Sequence, residues 1–376
     1  MIENLMLKNF KCFRNLNVEM SNLNVLAGIN NMGKSSVIHA LLLVSHYCIK
    51  PVLSSTDDGT VELNNDIVSI GTNRELFYSG SSDDELVIQR KHKGVTDTYT
   101  FPYESNSNSA MYKRNINKDE LSKLSNQDQL EVHFYQNINS RNFSFVSADR
   151  MTPKPFYFNS TSKSSINDIG VRGENTIHFL ATEGESFDVQ NESLFHPECS
   201  SKKIATQTAA WLSLIAPNIK LKLDVFNNMG ISQVGYYTTA NKDIHSPNNV
   251  GFGLSYTLPI IVALLKAPKD GIVILENPEA HLHPRGQRLL GEMIALTSAG
   301  GVQVIVETHS DHILNGIRLA VKNKKIDKSL VKLNYFTVDD DGDHIKQSPQ
   351  ILDDGSLTDW PEGFFDEWDK AVLDLF

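Results

Sequence analysis

Residues 28–36 read Gly-Ile-Asn-Asn-Met-Gly-Lys-Ser-Ser, a G-x-x-x-x-G-K-S pattern that equips a backbone turn to hold phosphate. Gly28 and Gly33 let the chain curl until several N–H groups converge on one anion. A helix leaving the loop at Ser35 adds the positive end of its dipole. Lys34 has the reach for β- and γ-phosphates, and the Ser35 hydroxyl suits Mg2+. Asn30, Asn31 and Ser36 complete the loop. The chemistry these residues can do is the binding of a nucleoside triphosphate with its magnesium ion.

Such a loop needs an acid on a neighbouring strand to hold the metal. Gly271-Ile272-Val273-Ile274-Leu275 leads into Glu276, the Walker B arrangement of aliphatics followed by a carboxylate at a strand end. Glu276 is therefore the expected metal-side acid, together with Ser35. Further on, Val304-Ile305-Val306 precedes Glu307-Thr308-His309, which offers an imidazole to the γ-phosphate or to an attacking water. Glu279 is a second acid close to the same strand end. Asp149 and Arg150 follow another strand, on a loop stiffened by Pro153, and could stand at a ligand edge.

The elements that must position these groups can be read from periodicity. Ile2, Leu5 and Leu7, then Leu16 and Val18, then Leu23, Val25 and Ala27 alternate as strands, the last delivering the phosphate loop. A helix is expected from Ser35 to about Ile49, apolar over most of its surface and so buried. Strand-like pieces follow at Glu85–Arg90 and Asp97–Phe101, while Tyr103–Asn126 reads as a mobile polar insertion with Lys113 and Arg114 in solvated positions. Phe143–Ser147 is a strand, 164–216 is mainly helical, and 219–240 returns to strands. The C-terminal half alternates: a helix over Ser255–Lys266, a strand over Gly271–Leu275, a helix from Pro284 to about Ser298, a strand over Val302–Val306, a helix to about Lys324, and a strand over Val331–Val338. Continuous aliphatic strands of this kind belong to a parallel sheet covered on both faces. Asp339, Asp341 and Asp343 alternate, but no EF-hand spacing accompanies them; a hairpin turn on Asp341-Gly342 is expected.

With 376 residues the chain is long enough for two or three lobes or one elaborated domain. A net charge of −10 and the lack of any strongly basic tract argue against a nucleic-acid tail. No apolar run approaches the roughly 20 residues of a membrane span. Cys12, Cys48 and Cys199 are widely separated and show no metal spacing, as in a reducing cytoplasm, the expected location.

Several stretches together resemble the ABC-type ATPase heads of the SMC, RecF, RecN and OLD group, and most closely its stand-alone bacterial branch. They are LKNFKCF, LAGINNMGKSS, VSADRMTP, GFGLSYTLPI, LENPEAHLHPRGQ and VIVETHSDHIL, in that order, with Trp360-Pro361-Glu362-Gly363-Phe364-Phe365-Asp366 as a closing motif. The resemblance implies an α/β P-loop fold of ABC ATPase type, with a mainly parallel core sheet, an antiparallel β lobe and a helical lobe. It implies an ATPase core in two parts (1–50 and 251–325), an antiparallel lobe at 51–142, a helical lobe with connecting strands at 143–250, and a C-terminal extension at 326–376, without the OLD nuclease domain. It implies ATP and Mg2+ as cofactors and a homodimer closed around ATP. In that dimer the signature segment of one subunit, with Gly253 and Ser255, caps the nucleotide of the other, and Arg150 senses nucleotide or bridges the lobes. His281 and His283 then belong to a dimer-interface loop rather than to a metal site.

One departure concerns hydrolysis. Asn277 stands where transporter-type heads carry a catalytic Glu, and Asn is no general base. Glu279 or His309 would have to substitute, or turnover is slow. Three functions stay open at this point: an ATP-hydrolysing switch, beside a nuclease or toxin effector in bacterial antiphage defence; an ATP-dependent binding module or sensor with little hydrolysis; and a RecF-like head acting directly on DNA.

Overall fold

The computed structural model describes residues 1–44, 56–65, 67–80, 84–103, 107–125, 142–160 and 169–375. In chain order the strands are β1 (Ile2–Phe10), β2 (Phe13–Glu19), β3 (Leu23–Gly28), β4 (Thr56–Glu62), β5 (Glu85–His92), β6 (Val95–Pro102), β7 (Ser109–Ile116), β8 (Phe143–Val146) and β9 (Tyr157–Phe158). They continue with β10 (Ile219–Phe226), β11 (Ile231–Thr238), β12 (Ile272–Glu276), β13 (Gln303–Glu307), β14 (Val331–Val338) and β15 (His344–Gln347). The helices are α1 (Lys34–Leu43), α2 (Asn73–Leu76), α3 (Lys118–Leu121), α4 (Thr176–Glu183), α5 (Ile204–Ile215), α6 (Phe252–Lys266), α7 (Pro284–Ala299), α8 (Asp311–Lys322) and α9 (Glu367–Leu375). The described residues divide into two compact units: those of 1–138, 332–350 and 359–376, and those of 139–331 and 351–358.

In the first unit, one sheet runs β2-β1-β5-β6-β7-β4. Its neighbouring strands pair antiparallel, so the N-terminal strands and those of the 51–142 stretch share a single sheet. The alternation read in the first strands is the inward face: Leu5 pairs with Val18 and Leu7 with Leu16, and all four are buried. Beside β3 lies β14, which turns back into β15 through a hairpin in which Gly342 takes φ +83. The helix after the phosphate loop buries Val37, Ile38, Leu41, Leu42 and Leu43, as expected; its expected continuation to Ile49 falls outside the described residues beyond Val44. Cys12 and Cys199 are half-buried free thiols, and Cys48 lies outside the described residues.

The expected mobile insertion at 103–126 is corrected by β7. Within it Ala110, Tyr112, Arg114 and Ile116 alternate inward, a period-2 pattern that the polar residues between them obscure. Arg114 is not solvated. It is 2% exposed and donates through Nε and Nη2 to Asp97 at 3.1 Å, while Arg90 donates to the same carboxylate at 2.9 Å. A buried carboxylate shared between two guanidiniums offsets the desolvation of each only because the donors fit both oxygens.

Buried His92 and half-buried His39 make this unit sensitive to acid. Burial, with the N-terminal amine, pulls His92 down to about 3; burial, with Lys11, pulls His39 down to about 4. Both are neutral in the folded chain and charge on unfolding below their ordinary value near 6.5. The stability they contribute is complete above pH 6.5 and is lost as pH falls toward 4. Moving from pH 7 to pH 5 should cost about 2 kcal/mol for each histidine, on the order of 4 kcal/mol for the pair, read as a shift in the urea midpoint. A His39→Gln, His92→Gln double variant that keeps the whole pH dependence would refute this source.

In the second unit, β8, β12 and β13 form a parallel ladder, Phe143 beside Ile272 and Ile272 beside Gln303. Val273, Leu275, Val304, Ile305 and Val306 are wholly buried, as strands covered on both faces require. Helix α6 packs on β8 and β12, and α7 packs on β13 and α8. Helix α6 is apolar on all sides and buried from Gly253 to Lys266, Tyr256 being half-buried. It begins at Phe252, with Gly251 as its cap, and not at Ser255 as expected. A smaller antiparallel sheet, β10-β11-β9, completes the unit. Among the described residues no helix is long and apolar enough to cross a membrane.

Candidate nucleotide and catalytic residues

The loop at 28–36 has the backbone that its glycines foretell. Gly28 sits at φ +143, and a Cβ there would lie 2.4 Å from the Phe336 carbonyl oxygen. Gly33 sits at φ +97, and a Cβ there would lie 2.3 Å from the Phe13 ring and 2.7 Å from Cys12 Sγ. Only glycine fits either place, so the loop is built into its surroundings and is not a generic turn. Asn31 also takes a left-handed conformation, φ +66. Lys34 is 3% exposed, and its Nζ donates to the carbonyls of Gly28 at 2.9 Å and Ile29 at 2.8 Å. The ammonium therefore spans the loop from its far end. No side chain caps α1, Gly33 being its N-cap, and Asn30, Asn31 and Ser35 are exposed. Ser36 sits behind, its Oγ 3.8 Å from Cys12 Sγ. Glycine cradle, buried ammonium and uncapped helix fit a polyphosphate. The oxygen donors Ser35 and Glu276 are the kind Mg2+ takes.

The second unit gathers Arg150, Glu276, Asn277, Glu279 and His309. Glu276 closes β12 and is half-buried; its Oε2 accepts the Ala148 N–H at 3.0 Å. Burial raises its pKa, opposed by that hydrogen bond and by Arg150. Arg150 is 1% exposed. Its Nη1 donates to the carbonyls of Ser147 at 3.0 Å and Glu276 at 2.7 Å, and its Nη2 donates to the Asn277 carbonyl at 2.7 Å. The guanidinium thus ties the end of β8 to the end of β12. The Tyr256 ring of α6 lies against it, 5.4 Å from Cζ to the centroid. Burial lowers the Arg150 pKa, opposed by Glu279, Tyr256 and Glu276.

Asn277 has φ +44, and its N–H donates to the Glu307 carbonyl at 2.9 Å. Left-handed backbone favours Asn over Glu, which gives a local reason for the residue found here. Glu279 reaches across to the end of β13. One oxygen accepts from Thr308 Oγ1 and the other from the His309 N–H, each at 2.8 Å. Both carboxylate oxygens are thereby engaged, and His309 is left exposed on a backbone that Glu279 holds. Ser310 then caps α8 through Ile313 N at 3.1 Å.

On α6, a Cβ at Gly253 would lie 2.6 Å from the His281 carbonyl oxygen, so the start of the helix is pressed onto the His-Leu-His-Pro loop. Ser255 is buried, a turn inside the helix, and burial raises the pKa of Tyr157 and of Tyr236. The Ser255 hydroxyl faces the interior of its own subunit. His283 caps α7 through Arg285 N at 3.3 Å, and His281 packs edge-on to Tyr256 at 4.7 Å. Both histidines thus have structural work. Thr308 and Tyr256 were missed by motif reading; Tyr256 could have been found from its place one turn after Phe252, at the start of α6.

A family described as an AAA domain, putative AbiEii toxin, type IV toxin–antitoxin system, matches residues 23–315. A second, described as a protein of unknown function, matches 326–375. No curated protein matches in sequence. Similar solved structures include an SMC head bound to the C-terminal winged-helix domain of ScpA, 15% identical over 93% of this chain and 98% of that one, with a TM-score of 0.55. A Pyrococcus yayanosii Smc head with a coiled coil and joint is 12% identical over 99% of each chain, TM-score 0.56. A Pyrococcus furiosus Smc head with an extended coiled coil, bound to the C-terminal domain of ScpA, is 14% identical over 100% of this chain and 99% of that one, TM-score 0.54. At such identities the likeness shows the fold, an SMC-head-like α/β P-loop ATPase fold. With the phosphate loop at 28–36 and the match running from 23 to 315, the chain belongs to the AAA-domain family described as putative AbiEii toxin of a type IV toxin–antitoxin system.

Proposed function

We propose that this protein is an ATP-binding and ATP-hydrolysing dimeric switch, the ATPase component of a bacterial antiphage system that controls an effector such as a nuclease or toxin. The observation that carries the reading is the loop at 28–36, whose glycines admit no Cβ and whose Lys34 ammonium is buried within hydrogen-bonding reach of two loop carbonyls. The family description, a component of a toxin–antitoxin system, agrees with control of a partner. Two of the similar heads are bound to domains of another protein.

In this reading Gly28, Asn30, Asn31, Gly33, Lys34, Ser35 and Ser36 bind the ATP phosphates. Ser35 and Glu276 would hold Mg2+, which would supply positive charge against the β- and γ-phosphates. His309 positions the attacking water, and Glu279 positions His309 through the backbone. The start of α6, with Gly253 and Ser255, is offered to the nucleotide of a second copy. Arg150 acts on the nucleotide indirectly, by holding the Glu276 and Asn277 carbonyls.

A second reading, an ATP-dependent clamp with little turnover, is favoured by one observation: both oxygens of Glu279 are engaged beside an Asn at 277. Phosphate release separates the two readings. With hydrolysis, His309→Ala should lower turnover about a hundredfold and Glu279→Gln about tenfold. A wild-type rate no higher than that of the His309→Ala protein, with and without DNA, would leave the clamp.

A further inference from the structure

The segment matched at 326–375 carries no assigned role, yet within the first unit it walls the phosphate loop at successive points. Strand β14 passes so close to Gly28 that the Phe336 carbonyl oxygen excludes a Cβ there, at 2.4 Å. The closing motif comes next: a Cβ at Gly363 would lie 2.6 Å from Tyr335 Oη and 3.7 Å from Ile29 Cδ1. Tyr335 Oη donates to the Glu362 carbonyl at 2.9 Å, and Phe364, 1% exposed, packs edge-on to the Tyr335 ring at 5.2 Å. At the loop apex stands His344, the first residue of β15, whose Nε2–H donates to the Asn31 carbonyl at 3.3 Å. The Phe13 ring, against which Gly33 is packed, meets His344 edge-on at 6.1 Å and Phe336 at 6.0 Å.

The His344 contact has a consequence for the anion. In a trans peptide the carbonyl and the following N–H point in opposite directions. A donor that holds the Asn31 carbonyl to one side therefore holds the Met32 N–H to the other. A phosphate loop binds through N–H groups turned inward, so one that can rotate away contributes less. Asn31 is also in left-handed backbone, φ +66, which a non-glycine residue keeps only where its surroundings hold it.

We propose that residues 332–350 and 359–365 form the rear wall of the nucleotide loop, and that His344 is a positioning residue that sets polyphosphate affinity through the Asn31–Met32 peptide. This rests on the reading of residues 28–36 as the nucleotide loop. It predicts that the segment acts on binding and not only on folding.

Equilibrium titration of the full-length protein with a fluorescent ATP analogue, and with ADP in competition, tests it. The variants are His344→Ala, His344→Gln and Lys34→Ala, each with a thermal unfolding curve taken without nucleotide. His344→Ala should weaken both nucleotides about five- to tenfold, the worth of one hydrogen bond to a preorganised loop. His344→Gln, which keeps an N–H donor, should recover most of that, and the midpoints of both His344 variants should match the wild type. Unchanged affinity in His344→Ala, with Lys34→Ala abolishing binding, overturns the role of His344 and leaves the loop assignment standing. A loss that Gln fails to rescue and that follows a lowered midpoint overturns it as well, in favour of packing alone. Unimpaired binding in Lys34→Ala overturns the loop assignment itself.

Discussion

Glu276→Gln is expected to lower ATP turnover by at least about a hundredfold while leaving nucleotide affinity within about threefold. The substitution is nearly isosteric. The Gln side-chain oxygen can still accept the Ala148 N–H that Glu276 accepts at 3.0 Å, so the end of β12 keeps its geometry. What is removed is the negative charge at a strand end where burial already works against it and only Ala148 and Arg150 support it. A protein that keeps a carboxylate in such a place gains from the charge elsewhere, and the metal-side role in hydrolysis is where that gain is expected. Steady-state phosphate release and equilibrium nucleotide binding, measured on the same preparation, give the two numbers. Turnover equal to wild type would mean that Glu276 is not the metal-side acid.

Arg150→Ala is expected to destabilise the second unit by about 3–5 kcal/mol. The guanidinium supplies donors to three carbonyls, those of Ser147, Glu276 and Asn277, from a side chain that is 1% exposed. Alanine leaves those acceptors without this donor and opens a void beneath Tyr256, which stacks on the guanidinium at 5.4 Å. Lysine should recover less than half of the loss, because an ammonium on a flexible stem cannot reproduce a planar fork that reaches two strand ends. Urea unfolding, with hydrogen exchange at the β12 amides, measures both variants. Arg150→Ala as stable as wild type would show that the carbonyls find other donors. Exchange that rises throughout the chain, without a focus at β12, would deny Arg150 its local role.

The groups whose meaning is local are legible in the sequence. The phosphate loop is one, because a positive-φ turn between a strand and a helix is written in consecutive residues: Gly28, Gly33, then Lys34 and Ser35. The strands of the parallel ladder are another, because aliphatic runs such as Val304–Val306 have few alternatives to a covered sheet. The helix starts were less legible. Helix α6 begins at Phe252 because Gly251 caps it, and the three-residue shift moves Ser255 from the cap to the interior.

What tertiary structure decided is which partner each charged group meets. Arg114 read as a solvated residue in a polar stretch; β7 turns it inward onto Asp97, a partner seventeen positions away on the neighbouring strand. Arg150, beside a strand end, read as a nucleotide sensor or a bridge between lobes; the fold gives it the backbone carbonyls of Glu276 and Asn277, more than a hundred residues on. Glu279 read as a substitute base; the fold occupies both its oxygens at Thr308 and His309. The physical reason is common to the three. A turn or an aliphatic strand is encoded by residues adjacent in sequence, whereas a buried charge is stabilised by whichever donors or acceptors the packed chain brings within about 3 Å. The residues of the phosphate loop are therefore set in the sequence itself. The roles of the charged groups at the ends of β8, β12 and β13 exist only once those strands lie side by side.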